Sequence, residues 1–175
     1  VVISVKRHGT SIVIGKVHVK NPIPMAYPKK IWNKMIDLVN LPEKIKFKYD
    51  YTIDYGPVFS SRTVIKNRYI TQKVTSGYCN VDIWSEYGEI IYPYLENGMT
   101  IYGEICGYLT GCQSMIQKSY PYECQPGENN IMIYRISTMG EDGKKYEWNV
   151  QDVYDWTVKL IDRMKDAYDN NWKRI

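Results

Sequence analysis

Ile131-Met132-Ile133-Tyr134-Arg135-Ile136-Ser137, followed after Gly140 by Glu141-Asp142-Gly143 and then by Lys145-Tyr146-Glu147-Trp148, decides the fold class. The first run is apolar and rich in β-branched residues, which suits a strand. Glu141-Asp142-Gly143 carries the Asp-Gly signal of a tight hairpin, and Lys145–Trp148 reads as the return strand. The pattern continues in both directions. Upstream, Met99–Tyr108 and Thr10–Val19 read as strands, and Tyr55–Ile65 contains another over Val58-Phe59-Ser60-Ser61-Arg62. Val1–Val5 reads as a buried strand leading into a turn at Lys6-Arg7-His8-Gly9. Between the strands lie three helical stretches: Pro28–Val39, Val81–Leu95 with Pro93 ending it early, and about Val150–Tyr168. In the last, Asn149 and Asp152 supply an N-cap and a first-turn acid, and Val153, Trp156, Leu160, Ile161 and Met164 share a face. No βαβαβ rhythm is present, so the spacing predicts an α+β domain with mostly antiparallel sheets flanked by helices.

The chain has 175 residues, 44% hydrophobic and 24% charged, which is enough for one domain with a real core and excludes disorder as its main state. Its uncharged apolar runs are far too short for a membrane-crossing helix. A net charge of +4 permits a polyanionic partner without demanding one. Seventeen tyrosines against two phenylalanines put a hydroxyl on most of the aromatic surface, a composition suited to wet clefts and base stacking. Cys79, Cys106, Cys112 and Cys124 show no CxxC or CxxH spacing and read as reduced thiols of a cytoplasmic protein, with Cys112 and Cys124 the one nearby pair. The sequence opens Val1-Val2-Ile3 without an initiator methionine, and the expectation is a piece of a longer product.

Chemistry concentrates at Ser4-Val5-Lys6-Arg7-His8-Gly9-Thr10-Ser11. A lysine at a strand end beside Arg7 has a like charge for a neighbour, and like charge with partial desolvation favours the neutral, nucleophilic amine. Gly9 permits the tight turn and the close approach of a ligand. Taken singly, the same lysine fits an exposed turn residue and His8 a hydrogen-bonding one. Arg62 fits a surface arginine, Glu104 one half of an ion pair, and Tyr134 a cross-strand packing residue.

Taken together, these residues resemble a known family. Lys6-Arg7-His8-Gly9-Thr10 resembles the active-site motif of the covalent nucleotidyltransferases, and its His-Gly resembles RNA ligases of the phage RNA ligase 2 type. Phe59-Ser60-Ser61-Arg62, then Thr100-Ile101-Tyr102-Gly103-Glu104-Ile105, then Ile131-Met132-Ile133-Tyr134-Arg135-Ile136 resemble the next three elements, in the family's order. Gln117-Lys118-Ser119-Tyr120 also fits phage and bacterial members. The resemblance covers roughly residues 1–150 and implies a nucleotidyltransferase (ATP-grasp-like) fold over a single adenylation domain, 1–175. It implies that Lys6 forms a covalent adenylate from ATP with Mg²⁺, that Arg62 and Glu104 fix the ribose, and that Tyr134 stacks on adenine. It gives His8 a part in sealing 5′-phosphate to 3′-hydroxyl RNA ends, as in RNA repair. It assigns no metal ligand and implies an RNA partner, no membrane and a monomer. A Glu-Gly strand that helps bind the metal and a Lys-x-Lys strand on the α-phosphate, carried downstream in the family, are not found, and Val5 stands where some relatives have an acid. The expectation is therefore the front part of an adenylation domain. A DNA ligase, a capping guanylyltransferase and an inactive nucleic-acid-binding module are the alternatives.

Overall fold

A computed structural model describes residues 7–39, 42, 46–48, 50–65 and 82–168. The expected strand Val1–Val5, Lys6 and Cys79 lie outside the described residues. The chain divides into two compact units, 18–55 and the remainder (1–17 with 56–175).

The elements, in chain order, are β1 (Thr10–Pro22), α1 (Tyr27–Leu38), β2 (Tyr51–Ser60), α2 (Ile83–Ile91), β3 (Met99–Gly107), β4 (Asn129–Met139), β5 (Lys145–Glu147) and α3 (Val150–Tyr168). The strands form one five-stranded sheet in the order β2-β1-β3-β4-β5. β1 pairs with β3, β3 with β4 and β4 with β5, each antiparallel. The α+β class with antiparallel pairing, expected from the strand spacing, is what the structure has.

Period-two alternation positions the core. Ile12, Ile14, Ile101, Ile105, Ile131 and Ile136 are buried, and they pack with Ile83, Tyr87 and Ile91 of α2 and Val153, Leu160 and Met164 of α3. Thr100, Tyr102 and Glu104 of β3 alternate with the buried Ile101, Gly103 and Ile105, and so belong to the opposite face. Gly103 is glycine because space runs out on the core side: a Cβ there would lie 3.1 Å from the Met132 carbonyl oxygen and 3.3 Å from Ile12 Cγ2. At this point the β3–β4 register shifts between Tyr102, opposite Arg135, and Gly103, opposite Ile133, a bulge with Tyr134 between the two pairings.

The helix ends follow their sequence signals. Asp82 caps α2, accepting from the Ser85 amide at 3.2 Å and the Ser85 hydroxyl at 3.0 Å. Pro93 cannot donate to the helix ladder, so α2 stops at Ile91 and continues only as a 3₁₀ turn over Tyr92–Tyr94. At the head of α3, Asn149 accepts from the Asp152 amide at 2.9 Å and its side-chain amide donates back to the Asp152 carboxylate at 2.6 Å.

Two boundaries differ from expectation. β2 starts at Tyr51 rather than Val58; Tyr51–Asp54 are all exposed, so no alternation in the sequence marks that start. It ends at Ser60, so Arg62 belongs to the turn after the strand, where the Ser61 amide donates to the Val64 carbonyl at 2.8 Å. In the unit 18–55, α1 forms where expected, and of its residues Ile36 is buried.

A candidate nucleotide site at the head of the sheet

Gly9 and Glu104 come from two stretches far apart in the chain, and they meet. The Gly9 amide donates to Glu104 Oε1 at 3.0 Å, in a half-buried setting. The strand register prepares this, since Ser11 is opposite Glu104 and Thr10 opposite Ile105. Gly9 lies so close to β3 that a Cβ would come within 2.2 Å of the Ile105 carbonyl oxygen and 2.9 Å of Cys106 Sγ. Glycine is therefore required here by approach.

Arg7 and His8 stand on the other side of this turn, against the irregular segment before β4. The His8 amide donates to the Tyr122 hydroxyl at 2.7 Å. The Arg7 guanidinium lies 4.8 Å from the centre of the Tyr122 ring. The His8 imidazole packs on Tyr120 with centroids 4.6 Å apart, and Tyr120 stacks in turn on Tyr122 at 5.9 Å. This segment is strained: Ser119, Tyr122 and Glu123 have φ of +69°, +46° and +66°. A left-handed non-glycine residue costs about 1–3 kcal/mol and persists where surrounding contacts over-determine it.

Behind Glu104, burial first and the Glu104 charge second push the Cys106 thiol up to about 11, while Arg7 pulls it the other way. Cys106 is thus a protonated packing group at neutral pH and no nucleophile. Cys106, Cys112 and Cys124 are all free thiols.

Arg62 is exposed in the turn that follows β2, the neighbour of β1 in the sheet. Tyr134 is 57% exposed, so it is not the core residue that a tyrosine in a β run usually is. It follows Met132, the partner of Glu104, by two positions along β4, about 7 Å of strand. Of the residues singled out from the sequence, the structure joins the His8–Gly9 turn to Glu104 directly, with Tyr134 one strand across. The Lys6 position immediately precedes this turn but lies outside the described residues.

Comparison with family models, with curated proteins and with solved structures gives no match. The site therefore has to be judged on its own chemistry. Thr10, Ile83, Trp84, Leu109, Met115 and Lys118 help line a cavity of about 760 Å³, a volume suited to a small ligand. None of His8, Arg62, Glu104 and Tyr134 is among its described lining residues. Thr10 of the Lys6–Thr10 motif and Gln117, Lys118 and Ser119 of the Gln117–Tyr120 stretch do line it, so the cavity adjoins the turn at its Thr10 end. Among the described residues no three His, Cys, Asp or Glu side chains converge to hold a metal ion.

Two features escaped the sequence reading. One is the Tyr120–Tyr122 pair. The other is a cluster on the Glu104 face of the sheet, where Arg135, the partner of Tyr102, lies 4.5 Å from that ring's centre, with Lys145 Nζ at 4.9 Å. Lys145 also donates to the Tyr102 hydroxyl at 3.1 Å. Glu147 binds both cations, taking two hydrogen bonds from Arg135 and lying 3.1 Å from Lys145. The hydrogen bonds from Arg135 above all, and then those from Lys145, pull the Glu147 carboxyl down to about 2 from 4.5. A depressed carboxyl adds stability that is present above the unfolded value and lost as pH falls through the folded one. Glu147→Gln should therefore lower the melting temperature at neutral pH. The gap from wild type should close between pH 4.5 and about 2, as paired thermal melts would reveal.

Proposed function

We propose that this chain is the front part of the adenylation domain of an ATP-dependent RNA ligase, working through a covalent adenylate on Lys6. The observation that carries the reading is the bond between Gly9, in the Lys6-Arg7-His8-Gly9 turn, and Glu104, in Tyr102-Gly103-Glu104. Two motifs picked from separate parts of the sequence form one locus, as a lysine nucleophile and a ribose-binding carboxylate must.

In this reading the neutral Lys6 amine attacks the α-phosphorus of ATP. An N–P bond forms, the bond to the bridging oxygen breaks, pyrophosphate leaves, and the amine proton passes to solvent. Arg62 and Glu104 hold the ribose and Tyr134 stacks on the base. Positioning and charge neutralisation supply most of the acceleration in phosphoryl transfer, so the fixed turn matters as much as the nucleophile. AMP then moves from Lys6 to an RNA 5′-phosphate, breaking the N–P bond and forming a P–O–P linkage. A 3′-hydroxyl displaces AMP to seal the strand. His8, beside the turn and packed on Tyr120, is the group assigned to these later steps.

The test is incubation with Mg²⁺ and ATP labelled at the α-phosphate, followed by mass mapping of the labelled peptide. AMP on Lys6, acid-labile and stable to base as a phosphoramidate is, supports the reading. GTP as the donor instead would indicate a capping enzyme. A folded protein that takes no label from either would be the inactive module.

A further inference from the structure

The Ser119–Glu123 segment makes its recorded contacts with the turn through Tyr120 and Tyr122, and nothing in the proposed chemistry has used them. Tyr122 grips the turn in two ways at once, its hydroxyl accepting from the His8 amide at 2.7 Å and its ring facing the Arg7 guanidinium at 4.8 Å. Glu104 holds the same turn from the sheet side through Gly9. The turn is thus held at three successive residues, Arg7 and His8 by Tyr122 and Gly9 by Glu104. Tyr120 reaches a different part, the His8 ring, at 4.6 Å. Three left-handed non-glycine residues within five positions show that the segment's shape is imposed by its contacts rather than by local preference.

We propose that Tyr122 is a positioning residue that clamps the Arg7–Gly9 turn, and that Tyr120 orients the His8 imidazole. The clamp itself follows from the contacts of Tyr122 with the turn; its effect on catalysis rests on the ligase reading. Arg7 is the residue next to Lys6 in the sequence. Tyr122 should therefore serve formation of the adenylate, and Tyr120 the steps assigned to His8.

Two measurements on the full chain separate the clamp from the reading. Amide hydrogen exchange should show the His8 amide protected in wild type. In Tyr122→Phe it should exchange about five- to tenfold faster, the loss of one hydrogen bond, with α3 amides unchanged. Should Tyr122→Phe not fold, Arg7→Gln removes the cation from the other side and should likewise speed exchange at His8. Unchanged His8 exchange in the folded variant overturns the clamp. In the labelling assay, Tyr122→Phe should lower kcat for AMP transfer to Lys6 by a similar factor at unchanged KM for ATP. Tyr120→Leu should take label normally and slow its passage to 5′-phosphorylated RNA. Altered exchange with a wild-type labelling rate in Tyr122→Phe, or wild-type passage of label to RNA in Tyr120→Leu, overturns the catalytic part. Altered exchange in a wild type that never labels upholds the clamp and sinks the ligase reading.

Discussion

Lys6→Ala should leave no AMP on the protein. In the proposed reading the substitution removes the atom to which the adenylate is bonded. The Cys106 thiol, packed against Gly9, is held in its protonated form by burial and does not take over as nucleophile. Lys6→Arg should fail as completely, since it keeps the charge and loses the nucleophile. Glu104 should behave differently. Glu104→Gln retains an oxygen for the Gly9 amide but loses the negative charge offered to the ribose hydroxyls. Removal of one preorganised polar contact of this kind lowers rates on the order of 10²–10³. Glu104→Gln should then label slowly and reach the wild-type end point, and Glu104→Ala, which also frees the turn, should be slower still. An all-or-none loss at position 6 against a graded loss at 104 is the signature of one nucleophile and one anchor. Labelling that survives Lys6→Ala, or that is untouched by Glu104→Ala, removes the basis for the assignment.

The parts of this molecule that were legible in its sequence are those set by local rules. Met99–Tyr108 reads as a strand, and β3 runs over Met99–Gly107. Glu141-Asp142-Gly143 makes the expected turn, with Gly143 at φ +73° and the Lys144 amide donating to the Asp142 carboxylate at 3.0 Å. Asn149 and Asp152 cap α3. The unread parts are long-range or irregular. His8 and Tyr122 are 114 positions apart, and Tyr122 lies in a segment with no period to betray which way its ring points. The bulge at Tyr134 arises from the pairing of two strands, which neither strand states alone. The Tyr102–Arg135–Lys145 cluster depends on that same register, so knowing that three strands exist does not reveal it. Arg62 illustrates an intermediate case: the strand before it was legible, but its place beyond the strand depended on where β2 ends, at Ser60.

Gly88→Ala should destabilise the protein although alanine is the better helix former. Gly88 is in the middle of α2, and exchanging glycine for alanine in a helix interior normally gains about 1 kcal/mol. Here the added methyl would lie 2.3, 2.5 and 2.6 Å from three ring carbons of Phe59. That ring is 3% exposed and is held edge-on by Tyr92 at 6.3 Å, so it has little room to retreat. Overpacking of a filled core costs about 1–3 kcal/mol, occasionally more, and contacts this short belong at the top of that range. The net expectation is a loss of about 2 kcal/mol, or about 4–8 °C in melting temperature for a chain of this length. Phe59→Leu alone should cost about 1–2 kcal/mol, as a large-to-small change in a packed core. Combined with Gly88→Ala it should do less harm than the two losses added, because the smaller side chain vacates the space the methyl needs. Urea unfolding of the four proteins measures the coupling directly. Additivity within about 0.5 kcal/mol, the range expected of sites that do not touch, would show that α2 does not pack on β2 through this pair. In that case the seating of α2, and with it the position of the turn after Ser60 that carries Arg62, would have to be sought in other contacts.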